Sequence, residues 1–143
     1  VHKGGCNCGQ LRYEIKGEPG LVLACHCLNC QRQGGAAFSV NLIITEEQLS
    51  LHGDPKVYVD KDTDSGNYAY RHFCGNCGSP ILTTSDLFPH IRVIKAGTLD
   101  ERTGFAPQAV CWTDTAFDWG AELLKGDERR GPRGRLQLRP DPL

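Results

Sequence analysis

Apolar and polar positions alternate with period two through much of this chain, beginning at Leu11-Arg12-Tyr13-Glu14-Ile15. Such alternation puts the apolar side chains on one face of an extended segment, the signature of a half-buried β-strand. Gly17-Glu18-Pro19-Gly20 follows at once and supplies a turn. Further strands are predicted at 21–24, 37–44, 56–60, 67–73, 79–84, 91–96 and 107–113, divided by Gly, Asn, Asp and Pro. Only two stretches predict helix. Thr45-Glu46-Glu47-Gln48 has the Thr-x-x-Gln form of a capping box, but the run ends by Gly53 and has room for one or two turns. Residues 28–33 predict one short helical turn. No strand–helix–strand alternation supports a parallel sheet, so the expected fold is mainly β: a small antiparallel-sheet fold with few short helices.

Composition narrows the class. With 143 residues the chain is expected to form one main domain. An apolar fraction of 39%, before its 17 glycines are counted, is globular rather than disordered. The 16 Lys and Arg nearly balance 17 Asp and Glu, which gives no basic footprint for nucleic acid and no acidic solvating tail. No apolar run reaches the roughly 18–20 residues of a membrane span, and the first residues lack a charged-then-apolar leader pattern. A cytoplasmic domain without membrane partners is the expectation. The last stretch, 125–143, has a different character: Lys125, Arg129, Arg130, Arg133, Arg135 and Arg139 stand among Gly and Pro, with only Asp127, Glu128 and Asp141 opposing them. This Arg/Pro/Gly-rich tail is expected to be flexible, with Leu136 and Leu138 able to form a short edge strand, and the folded domain to occupy 1–124.

The cysteines change the picture further. All but one of the 8 fall into three tight groups: Cys6 and Cys8; Cys25, Cys27 and Cys30; Cys74 and Cys77. In a reducing compartment such spacing reads as metal ligation, not as a disulfide framework. Zinc takes about four sulfur or nitrogen ligands in a tetrahedron, and a Cys-x-x-Cys knuckle supplies two of them. Cys74-Gly75-Asn76-Cys77-Gly78 is such a knuckle, and Cys6-Asn7-Cys8-Gly9, behind Gly4 and Gly5, is a second pair. Joined, they complete a closed, structural set. Cys25-His26-Cys27-Leu28-Asn29-Cys30 then has three sulfurs of its own, and three protein ligands with an open fourth position is the arrangement of a catalytic zinc. Spacing alone leaves the partition open, since one larger cluster holding two metals satisfies it too. His26, between two ligands, is expected to point away from any metal they share. Cys111 reads as a small buried residue of a strand, with closure of the second site as the alternative.

The order Gly4-Gly5-Cys6-x-Cys8-Gly9-x-x-Arg12-Tyr13-Glu14, Cys25-His26-Cys27-x-x-Cys30, Phe73-Cys74-x-x-Cys77-Gly78-Ser79 and Gly97-Thr98-Leu99-Asp100 resembles the glutathione-dependent formaldehyde-activating enzyme family, which includes centromere protein V. The likeness covers roughly 4–120. It implies a β-rich fold with two zinc ions, Cys6, Cys8, Cys74 and Cys77 holding a structural one and Cys25, Cys27 and Cys30 a catalytic one. Gln31 stands where the family often has Arg, with Arg32 next to it.

Three thiolates leave a bound zinc with a net charge of −1, a weak Lewis acid that still keeps a soft sulfur ligand ionised. The expected activity is carbon–sulfur lyase-like: joining or splitting a thiol, such as glutathione or another small thiol, and an aldehyde or other small electrophile. His26, His72 and Asp100 are the candidate proton carriers. Asn29, Gln31 and Arg32 are the candidates for contacting thiol or substrate. The alternative is a non-catalytic, zinc-stapled module that binds a protein partner, and a homo-oligomer fits either reading.

Overall fold

The computed structural model describes residues 1–120 and the two-residue strand 136–137. Eleven strands and one α-helix follow in chain order: β1 His2–Gly5, β2 Arg12–Ile15, β3 Leu21–Cys25, α1 Leu28–Gly34, β4 Ser39–Thr45, β5 Leu49–His52, β6 Lys56–Asp60, β7 Ala69–Phe73, β8 Pro80–Ser85, β9 Ile91–Lys95, β10 Ala109–Cys111 and β11 Leu136–Gln137. Single 3₁₀ turns sit at Glu46–Gln48, Ala96–Thr98 and Thr113–Thr115. The mainly β, antiparallel expectation holds, and every predicted strand is found, 56–60 with its bounds unchanged and the others with shifted ends. The expected edge strand near Leu136 is β11; the domain boundary at 124 and the rest of the 125–143 tail lie outside the described residues.

The strands form two sheets. The small one runs β1-β2-β5, and the large one β11-β10-β3-β4-β9-β8-β7-β6. Pairing is antiparallel except around β10, which lies parallel to β3 and to β11. The small sheet covers one face of the large one. Leu11, Tyr13 and Ile15 from the former pack with Leu42, Ile44, Leu82 and Ile94 from the latter in one buried cluster. Gln48 joins the layers at their edge: its Oε1 accepts from the Thr45 N–H at 3.0 Å, as the capping box predicts, and its Nε2 donates to the carbonyls of Lys16 and Glu18. Because side chains alternate along each strand, residues between these core positions face the opposite side of the large sheet. That side carries the second cysteine group. No helix among the described residues is long and apolar enough to cross a membrane.

Candidate metal centres and the adjoining cavity

Two cysteine groups converge, and all eight thiols are free of disulfide bonds. In the first, the sulfurs of Cys6, Cys8, Cys74 and Cys77 all lie within 4.8 Å of one another. Cys6–Cys8 is 3.6 Å and Cys8–Cys74 is 3.7 Å. A tetrahedron with Zn–S near 2.3 Å has an edge of about 3.8 Å, so the donor set has the size that zinc needs. Two similar knuckles build it. The Gly9 N–H donates to the Cys6 carbonyl and the Gly78 N–H to the Cys74 carbonyl, at 3.1 and 2.8 Å. Both glycines have positive φ, 83° and 77°, which a side chain would resist. Ser79 ties the knuckles together: its Oγ accepts from the Asn7 N–H at 3.0 Å and lies 3.3 Å from the Cys77 sulfur. Hydrogen bonds from Ser79 bring the Cys77 thiol down to about 5, so it is ionised and ready to ligate near neutral pH.

The second group is built where β3 turns into α1. Cys25 ends the strand, Cys27 caps the helix and Cys30 lies in its first turn. The Cys27 sulfur accepts from the Cys30 N–H at 3.2 Å, so ligand and cap are the same atom. Their three sulfurs also lie within 4.8 Å of one another. Cys30 is held well below the usual thiol range by hydrogen bonds from Cys25 and Cys27, while both of those are pushed up. Cys111 is the largest influence raising Cys25, which it faces across the parallel β10–β3 ladder. Cys111 is buried, as expected, and is not part of the set whose sulfurs all lie mutually within 4.8 Å.

A cavity of about 140 Å³ opens beside these three sulfurs, on the face of the large sheet away from the main core. Phe88, Ile91, Val93 and Trp112 supply apolar wall, and Asn41, Arg71, Thr83 and Lys95 supply polar wall. Residues 63–65 and Asn67 close its rim. Trp112 reaches the cavity from a left-handed backbone, φ 57°, a conformation that non-glycine residues seldom hold.

The remaining candidate residues are distributed as follows. Asn29 lines the cavity, but its Nδ2 is donated to Asp60 Oδ2 and the Asp62 carbonyl, at 3.0 and 3.1 Å. Gln31 Nε2 donates to the carbonyls of His26 and Thr115, at 2.7 and 2.9 Å, and so latches the last 3₁₀ turn to the cysteine loop. Arg32 is exposed. His26 points away from its cysteine neighbours as expected; it is fully buried against Phe38, and burial lowers its pKa. Asp100 sits on the small-sheet side, paired with Arg12. His72 lies on the other face of β7 from Arg71 and lines a separate groove with Leu82 and Arg92. None of His26, Gln31, Arg32, His72 and Asp100 lines the cavity. The sequence reading missed Arg71 and Lys95, whose signal is a charged residue at an inward parity of a strand: Lys95 follows Ile91 and Val93 on one face.

Residues 1–115 match the family described as Glutathione-dependent formaldehyde-activating enzyme. A Fusarium vanettenii protein named "Putative glutathione-dependent formaldehyde-activating enzyme" is 24% identical over 129 residues, covering 87% of this chain and 68% of its own length. In fold the chain is similar to a Rhodobacter sphaeroides protein of known crystal structure, with a TM-score of 0.57 at 22% identity over 71% of this chain and 90% of that one.

Proposed function

The chain belongs to the glutathione-dependent formaldehyde-activating enzyme family, and from that premise we propose a zinc-dependent enzyme that joins a small thiol to a carbonyl compound, or splits the adduct. One observation carries the reading: three convergent cysteines, not four, beside a cavity. Cys6, Cys8, Cys74 and Cys77 are the residues that would hold a structural zinc, and Cys25, Cys27 and Cys30 a second zinc. Zinc bound by the three would supply positive charge that keeps an added thiol ionised near neutral pH. In the reaction a carbon–sulfur bond forms as the carbonyl π bond opens, and the thiol proton ends on the oxygen; the lyase direction reverses both. Phe88, Ile91, Val93 and Trp112 keep bulk water from the reacting carbon. Asn29 and Gln31 act as positioning residues, the first fixing α1 against the Asp60 loop and the second fixing the turn that carries Trp112. His26, Arg32 and Asp100 do not line the cavity. Glutathione is the first thiol to test, since the family is described by it.

Elemental analysis of protein purified without added zinc should give two zinc ions per chain. In cobalt-substituted protein, glutathione or another small thiol should change the thiolate charge-transfer bands saturably. The change should vanish in Cys27→Ser and persist in Cys111→Ser. A wild type silent to every thiol, with a response only in Cys111→Ser, would mean that Cys111 closes the site, and the protein-binding module would replace the enzyme.

A further inference from the structure

The part of the cavity's polar wall that the large sheet supplies, Asn41, Arg71, Thr83 and Lys95, is rich in hydrogen-bond donors. Arg71, Thr83, Lys95 and Asn41 come from β7, β8, β9 and β4, which are consecutive neighbours in the large sheet. Arg71 is directly opposite Thr83, Thr83 opposite Val93, and Lys95 opposite Asn41. Residues opposite each other or two apart share a face, so the four side chains stand on one surface beside the cysteine group.

Both charged heads are deeply buried: Arg71 is 5% exposed and Lys95 8%. Among the described residues, Arg71 uses one donor, its Nε, on Asp60 Oδ2 at 2.8 Å. Lys95 uses one, on Asn41 Oδ1 at 3.2 Å, and the Asn41 amide in turn donates to Ser39 Oγ at 2.9 Å. A guanidinium has five N–H donors and an ammonium three, so most of these are left over. The Thr83 hydroxyl is buried with no partner among the described residues. A buried polar group without a partner is costly, so the Thr83 hydroxyl, beside two cations with donors to spare on a cavity wall, marks a ligand site. Charge points the same way: Arg71 and Lys95 are two basic side chains on one cavity wall. Asp60 is already engaged by Arg71 and Asn29, and Asp64 is exposed at the rim.

We propose that Arg71, Lys95 and Thr83, with Asn41 holding Lys95 in place, form a carboxylate-binding subsite, so that the electrophile is a short oxo-carboxylate and not a bare aldehyde. A carboxylate is acceptor-only, with about four lone-pair positions for this donor set. A cavity of about 150 Å³ holds benzene, so the volume here suits a ligand of about six heavy atoms. With the carboxylate on the wall, the carbonyl carbon is directed at the cysteine group, which lies beyond Lys95 at the end of the sheet where Cys25 pairs with Ser39. The proposal rests on the thiol–carbonyl reading for its chemistry, but not for its binding.

Calorimetric titration of the zinc-loaded protein without thiol, at fixed ionic strength, tests it with propionate against propionamide, its uncharged match in shape. Saturable binding of propionate, at least tenfold tighter than propionamide, is expected. Lys95→Met should weaken propionate about tenfold or more and leave propionamide unchanged. Thr83→Val, which removes only the hydroxyl, should weaken propionate several-fold and keeps the test decisive if the lysine variant misfolds. Equal binding of both ligands, or propionate binding that neither variant alters, overturns the subsite. Propionate binding in a protein whose cobalt spectrum ignores thiols would keep the subsite and remove the thiol reading; the reverse pair of results would remove the subsite alone.

Discussion

At Gly4 the backbone of β1 touches the Tyr13 ring so closely that a Cβ would sit 2.2 Å from the phenol oxygen and 2.4 Å from the Thr98 carbonyl oxygen. The phenol is fixed in place by Thr98 Oγ1 at 2.8 Å, and burial pushes its pKa up to about 12. It therefore cannot swing outward without losing both packing and a hydrogen bond. Gly4→Ala should lower stability by about 1–3 kcal/mol or more, read as a lower urea midpoint at an unchanged slope. His2, two residues away, gives a pH signature. Glu101 and Glu18 bond its ring at 2.8 and 2.9 Å, Glu101 having the larger effect, and together they raise its pKa. The folded state thus holds this proton more tightly than the unfolded chain does. That stabilisation is complete below about pH 6.5 and is lost as pH rises through the raised folded value. The difference in melting temperature between wild type and His2→Gln should accordingly be largest near pH 6 and shrink above it. A difference independent of pH would leave only the edge contact with Phe105 as the role of His2.

Among the elements, what the chain announces depends on how far the deciding contact lies along the sequence. Period-two runs such as 11–15 and 91–96 gave up their strands because alternation is local. The turn at 28–33 became α1, Leu28–Gly34, ended by Gly35 at φ 66°. Two strands were not legible. β1 is His-Lys-Gly-Gly, too poor in β-formers to register, and is held by its ladder to β2 and by the close approach at Tyr13. β5 is Leu-Ser-Leu-His, which alternates but is hidden behind the helical signal of the preceding Thr45-Glu46-Glu47-Gln48. The parallel pairing of β10 was equally hidden, because β3 is far away in sequence. At the site, the three cysteine groups were readable from spacing, whereas their partition into two sets, which depends on distant contacts, and the cavity wall were not. Arg71 and Lys95 look like solvated charges until the sheet order brings them together on the face that borders the cavity. The amides of Asn29 and Gln31 are engaged in holding α1 to Asp60 and Thr115.

For the molecule as a whole, the two cysteine groups have unequal structural duties. The first joins the β1–β2 connection of the small sheet to the β7–β8 connection of the large one, through residues such as Cys8 and Cys74 that are 66 apart in sequence. Cys6 and Cys74 also belong to the main buried cluster. The second group links only the end of β3 to the adjoining turn of α1. Cys74→Ser should therefore abolish cooperative folding or lower the melting temperature drastically, since structural zinc contributes an apparent ~10–16 kcal/mol in small modules. Cys27→Ser should retain a cooperative, only moderately lowered transition, apart from the helix cap it removes. Equal losses in the two proteins, measured by calorimetry at saturating zinc, would contradict this division.

The alternation along β4, β8 and β9 separates two kinds of evolutionary freedom. Leu42, Leu82 and Ile94 face the core, while Asn41, Thr83, Val93 and Lys95, each adjacent in sequence to one of them, face the cavity. Selection on ligand choice can act on the second set while selection on foldedness acts on the first, though both are written into the same short stretches of chain. A descendant can change what it recognises by replacing every other residue of these strands and inherit its scaffold intact.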